Sequence, residues 1–182
     1  MSANIQNHLK HEAWVGGVSN AFFNGLIAWL LLRSGPALEW GGKHSFAVDI
    51  IATALLLPLI VAFIVIPLQR RKLASGKLQA MGLPEDSWLQ QLSNRFPYRT
   101  AGSAPLFGLL GMLVVAPLTL LVFYLFGVSS VEPIHYAIFK GLWAGAMAAV
   151  LVLPMILVAL REPATAQIWR KESRVGSRNS SW

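Results

Sequence analysis

Four stretches of this chain, residues 15–32, 46–68, 104–126 and 134–160, run for 18, 23, 23 and 27 residues with almost no charge. At 1.5 Å rise per residue even the shortest reaches about 27 Å as a helix, enough to cross the hydrocarbon of a bilayer. Backbone groups in lipid must be satisfied within their own segment, so runs of this kind are expected to be helices. The expected fold class is all-α: an integral membrane bundle of four transmembrane helices in one domain. Composition agrees, because only 13% of the residues are charged, where about 25% is usual for soluble domains. The four runs take up half of the 182 residues, which leaves no room for a separate catalytic domain.

Charge placement sets an orientation. Of the 15 basic residues, 12 fall in three segments that a four-span chain puts on one side: Lys10, six residues of the central segment 69–103, and five of the tail 161–182. The opposite side holds Arg33 and Lys43, and Lys140 lies within a span. By the positive-inside rule both termini and the central segment are cytoplasmic, and the expected location is a bacterial inner (cytoplasmic) membrane. The same distribution explains the net charge of +7 without nucleic acid, since the basic residues flank apolar runs rather than forming a stripe. The chain has no cysteine, which excludes disulfides, thiolate metal sites and cysteine nucleophiles.

The first run is read as a retained span and not a signal peptide. One lysine is a weak leader charge, 18 residues is long for a leader core, and no small-x-small site follows Arg33. Residues 1–14 read as a polar lead with Trp14 at the interface, and Trp40 is a second interface candidate. Pro58, Pro117 and Pro154 are expected to kink their spans. The turn 127–133 is so short that the last two spans must be antiparallel neighbours.

Within the central segment, 84–96 reads as a short amphipathic cytoplasmic helix between the second and third spans. Pro84 suits its first turn, Glu85 and Asp86 suit its dipole, and Trp88, Leu89, Leu92 and Phe96 recur on one face. That face is suited to the headgroup region of the bilayer or to a partner. Small residues line two further seams, Gly17, Ala21 and Gly25 on the first span and Ala137, Gly141, Gly145 and Ala149 on the last. Such seams let helix backbones approach closely. Residues 21–28 and 137–144 share Ala, Phe, Gly, Leu and Ala at equal offsets, an echo that reads as common packing chemistry and not as a duplicated repeat.

Ionisable groups inside a span cost about 2.5–3.5 kcal/mol at its centre and are functional candidates by default. Asp49 and Lys140 qualify. Asp49 and Thr53 share a helix face, as do Asn20 and Asn24, and Tyr136 stands one turn from Lys140. Asn24, Asp49, Thr53 and Lys140 all fall in the outer half of their spans, about 5–12 Å from the ends at 1.5 Å per residue. Together with Tyr136 they can form a polar cluster open to the outside. It reads either as a site for a small polar solute or ion, or as a structural Asp49–Lys140 pair, with Lys140 also able to snorkel to the interface.

Other chemistry is thin. His44, Glu132 and His135 belong to the outer face and are weak metal candidates, and buried haem ligation would need histidines deep in the spans. No paired intramembrane carboxylates, nucleophile elbow, zinc motif or phosphate loop is present. No catalytic residue and no cofactor is expected. The function expected first is that of a small accessory or scaffolding membrane subunit, working in the lipid bilayer by pairing with itself or with a larger membrane complex. A small transporter or channel, as an oligomer, is the alternative, and a membrane enzyme or redox protein is the third class.

Overall fold

The computed structural model describes residues 3–78, 91 and 95–161, with side chains from Gln6 onward. Four helices in it are long and apolar enough to cross a membrane, Gln6–Leu32, Phe46–Ala74, Thr100–Leu125 and Pro133–Leu160. They point to a membrane protein. We label the elements α1 (Ala3–Leu32), β1 (Leu38–Glu39), α2 (Phe46–Ala74), α3 (Thr100–Leu110), a π-helical turn (Gly111–Val115), α4 (Ala116–Leu125), β2 (Ser130–Val131) and α5 (Pro133–Leu160). Trp88, Leu89 and Leu92, most of the expected 84–96 helix, and the tail beyond Arg161 lie outside the described residues.

α5 is the central helix and α1 the peripheral one. In their most apolar 18 residues 56% of α5 is buried, against 6% of α1. α1 packs along α5, and α2 lies between α5 and α3. The short turn before α5 does make α4 its neighbour, but through side chains: Trp143 Nε1 donates to Thr119 Oγ1 at 2.9 Å, and Phe123 meets Phe139 at 4.9 Å. The backbones nearest α5 are those of α1 and α2.

Helix ends differ from the sequence reading most at the start of α1 and the end of α2, while α3 begins at Thr100, four residues before the expected 104. α1 starts at Ala3, far earlier than the expected span at residue 15, because Leu9 and Ala13 pack on Val152, Ile156 and Leu160 of α5. The polar lead is therefore the first turns of the helix. α2 stops at Ala74, and Gly76 follows with a φ of 71°, a left-handed conformation that favours glycine and ends the helix. α2 and α5 run through Pro58, Pro67 and Pro154 as continuous helices.

Around Pro117 the third rod widens instead of breaking. Ala116 N–H reaches back to Gly111 O, five residues away, where an α-helix would use four. Proline clashes with the carbonyl four residues before it and cannot donate to it. A π turn just upstream is a known way to absorb such a mismatch.

At the end of the molecule away from Lys10, the two loops read as plain connections form a short antiparallel ladder. Leu38 faces Val131 and Glu39 faces Ser130. Trp40, read as an interface anchor, donates from Nε1 to Val128 O at 2.6 Å and packs on Phe46 at 4.9 Å. Leu38, 2% exposed, closes a cluster with Phe46, Ile50, Ala54, Ala116 and Tyr136.

Candidate functional site

Beneath this ladder the two charges carried within the apolar helices meet. Ser45 caps α2, its Oγ accepting from Val48 N at 3.2 Å, and this places Asp49 in the helix's first turn. A carboxylate there is favoured by the positive end of the helix dipole. Tyr136 and Lys140 lie one turn apart on α5, on the face turned to α2. Lys140 Nζ donates to both carboxylate oxygens of Asp49, at 2.7 and 2.6 Å. Tyr136 hydroxyl donates to Asp49 Oδ2 at 2.6 Å, with its ring fully buried.

The Lys140 ammonium and the Tyr136 hydroxyl thus converge on one carboxylate. Charge-assisted bonds of this length are roughly twice as strong as neutral ones, and an apolar surround strengthens them further. The site is not sealed, because the Asp49 side chain keeps 36% of its exposure while Lys140 keeps 13%.

Two expected members stand apart. Asn24 is half-buried, but its amide turns back and donates to Asn20 O at 3.0 Å, just as Asn20 donates to Gly16 O at 2.8 Å. Amides that satisfy themselves on their own helix leave the seam beside them free of polar cross-links. Thr53 is half-buried one turn below Asp49, and its hydroxyl joins no hydrogen bond among the described residues. The cluster is therefore Asp49, Tyr136 and Lys140.

His44, Glu132 and His135 stay dispersed. His135 Nδ1 and Glu132 Oε2 lie 3.6 Å apart on an open surface, 70% and 72% exposed. His44 is exposed and contributes its backbone carbonyl to Glu39 N. Among the described residues no three metal-ligating side chains gather.

A second polar group, which the sequence reading passed over, lies at the opposite, basic end. Glu12 of α1 accepts from Lys72 Nζ at 2.6 Å, and His8 pairs with Gln69 at 2.9 Å. These contacts tie α1 to the end of α2. Part of the signal was there: His8 and Glu12 are four apart, hence on one helix face, and Gln69 directly follows the second apolar run. Next to them the Tyr98 ring lies between Arg70 and Arg161, 4.4 and 5.5 Å from its centroid. Arg70 also bonds Tyr98 O and Thr100 Oγ1. Burial, then the like charge of Arg70, hold the Arg161 guanidinium below its usual range, while Tyr98 opposes the shift.

Phe96, expected on the outward face of the 84–96 helix, is turned inward. It stacks on Phe107 with centroids 4.8 Å apart, and its carbonyl accepts from Arg161 at 2.7 Å. No known protein family, curated protein or solved structure matches this chain.

Proposed function

We propose that this is an integral membrane protein, with both termini and the 69–103 segment in the cytoplasm, acting as an accessory or scaffolding subunit through helix contacts with a larger membrane complex or a second copy of itself. The observation that carries this reading is the mutual pairing within the polar centre. Asp49, Lys140 and Tyr136 are bound to one another and so serve as a lock between α2 and α5 in place of a free charge awaiting a solute. The outward apolar faces of α1 and α4, with Phe22, Ile27, Leu118 and Leu121 among their exposed residues, are then what the protein offers its surroundings.

Purification from native membranes in a mild detergent tests it. The expected result is a particle heavier than the 19.9 kDa chain, with a stoichiometric partner or a second copy. A strict monomer with no companion ends this reading. Because the chain has no cysteine, orientation can be read independently with single replacements. Lys43→Cys should react with an impermeant reagent on intact cells, and Ser75→Cys only after lysis.

The lock makes a quantitative prediction. Lys140→Met leaves the Asp49 carboxylate without its counter-charge and should cost about 2–3 kcal/mol in detergent unfolding. Adding Asp49→Leu should restore most of it, because removing both members of a charge pair between packed helices is milder than removing one. The partial exposure of Asp49 supports a second reading, a transporter or channel whose solute competes with Lys140 for that carboxylate or with Asp49 for the lysine. It is favoured if a small anion or cation raises thermal stability and the rise vanishes in Lys140→Met with folding unchanged.

A further inference from the structure

Beside the contact between α1 and α5 runs an open apolar groove of about 450 Å³, walled by Gly17, Ala21, Gly145 and Ala149, with Trp14 and Lys10 at one end. Lys10 and Trp14 are the only lining residues with polar side-chain atoms. Trp14 is 73% exposed, and Lys10 is exposed and forms no ion pair among the described residues. Its nearest acid in sequence, Glu12, is already taken by Lys72.

Three features define what fits. The groove is apolar along its length, so its occupant is hydrocarbon. From Trp14 to Ala21 its apolar part extends about 10 Å along α1 at 1.5 Å per residue, within one leaflet's share of a hydrocarbon core of about 30 Å. Lys10, without an ion-pair partner among the described residues, sits about 6 Å beyond Trp14, at headgroup level if the indole marks the interface. The cytoplasmic leaflet is also the one that carries anionic lipid.

We infer that the groove holds one acyl chain of an anionic phospholipid from the cytoplasmic leaflet, with Lys10 contacting the headgroup phosphate. This rests on the membrane orientation proposed above, though not on the scaffolding role. A lipid here would lie along the flank of this seam against α1, the least buried helix, and so hold α1 against α5.

The full chain in mild detergent, titrated with dioleoyl phosphatidylglycerol or dioleoyl phosphatidylcholine and read by native mass spectrometry, tests the inference. One retained phosphatidylglycerol is expected, in preference to phosphatidylcholine. Lys10→Gln should cut phosphatidylglycerol retention about fivefold, the effect of one lysine near an anionic surface, and leave phosphatidylcholine unchanged. Ala146→Phe, on the exposed rim of the groove, should abolish retention of both. Val18→Phe fills it from the other wall and serves if the first variant fails to fold.

Equal retention by both filled variants would place bound lipid elsewhere and overturn the inference, as would indifference to headgroup charge. A lipid-free dimer that Ala146→Phe converts to monomer would assign the groove to a second copy instead. Failure of the orientation is seen separately in the cysteine labelling, and failure of the scaffolding role in the absence of partners.

Discussion

Two pairs of helices in this molecule approach through glycine, and they do so on different terms. Between α1 and α5 the contact is a run of small residues on two regular helices. A Cβ on Gly145 would stand 2.7 Å from Ala21 Cβ and 2.8 Å from Gly17 O, and one on Gly25 would stand 3.3 Å from Gly141 Cα. Between α2 and α3 the contact is tighter and irregular. A Cβ on Gly111 would lie 2.0 Å from Ala54 O and 2.9 Å from Pro58 Cγ, and one on Gly108 would lie 2.8 Å from Leu55 O. Pro58 has no N–H to give the carbonyl four residues earlier, so Ala54 O is free of its usual helical partner at the spot where Gly111 arrives. Gly111 in turn opens the π turn. The first contact is a surface match between two helices, whereas the second depends on a local defect in each.

The difference predicts a graded response to one added methyl group, and Gly111→Ala should be the most damaging. The atom it meets is backbone, which cannot rotate away, and the ring of Pro58 blocks the other side. Overpacking usually costs 1–3 kcal/mol, and here the loss should reach about 3 kcal/mol in urea or detergent unfolding. Stability within 1 kcal/mol of the parent would mean that α2 and α3 part easily, and the distinction between the two contacts would fall.

Gly145→Ala comes next, at about 1–2 kcal/mol. Its closest neighbour is a side-chain methyl on α1, a helix held mainly by α5 and thus able to back away. Gly25→Ala, with nothing nearer than 3.3 Å, should fall close to zero, because relief of glycine's conformational cost of about 0.5–1 kcal/mol offsets the tight fit. If Gly145→Ala proved costlier than Gly111→Ala, the peripheral helix would be the rigid one.

These two contacts also mark how far the sequence could be read. Small residues at a helical spacing are visible in a string, so Gly17, Ala21, Gly25, Gly141 and Gly145 were legible as seams, and the echo between 21–28 and 137–144 falls where Gly25 meets Gly141. The charges were legible too. Asp49, Lys140 and Tyr136 stood out because ionisable groups in apolar runs are rare, and the structure joins them. Asn24 and Thr53 were grouped with them by depth and helix face, which do not say whether a side chain turns outward or back onto its own helix. Gly111 against Ala54 was not legible, because it needs the register of α2 on α3, the carbonyl freed by Pro58 and the widened turn before Pro117 all at once. The early start of α1 was missed for a simpler reason: His8 and Glu12 look like solvated polar residues until Gln69 and Lys72 are known to face them.

The smallest effect is the most useful control on this comparison. Gly16 neighbours Gly17 in sequence but lies off the line of closest approach, and the nearest atom to an added Cβ is Val152 Cγ2 at 3.9 Å, an ordinary contact. Nothing must move to admit a methyl group there. Glycine inside a helix costs about 0.5–1 kcal/mol relative to alanine through its larger loss of freedom on folding. Gly16→Ala should therefore stabilise the protein by up to that amount, while Gly145→Ala on the facing helix destabilises it. Opposite signs would show that the cost at Gly145 is steric and specific to the seam. A loss at Gly16 comparable to that at Gly145 would instead mean that α1 rides closer to α5 than its packing implies, or that the chain's glycines act through something other than helix approach.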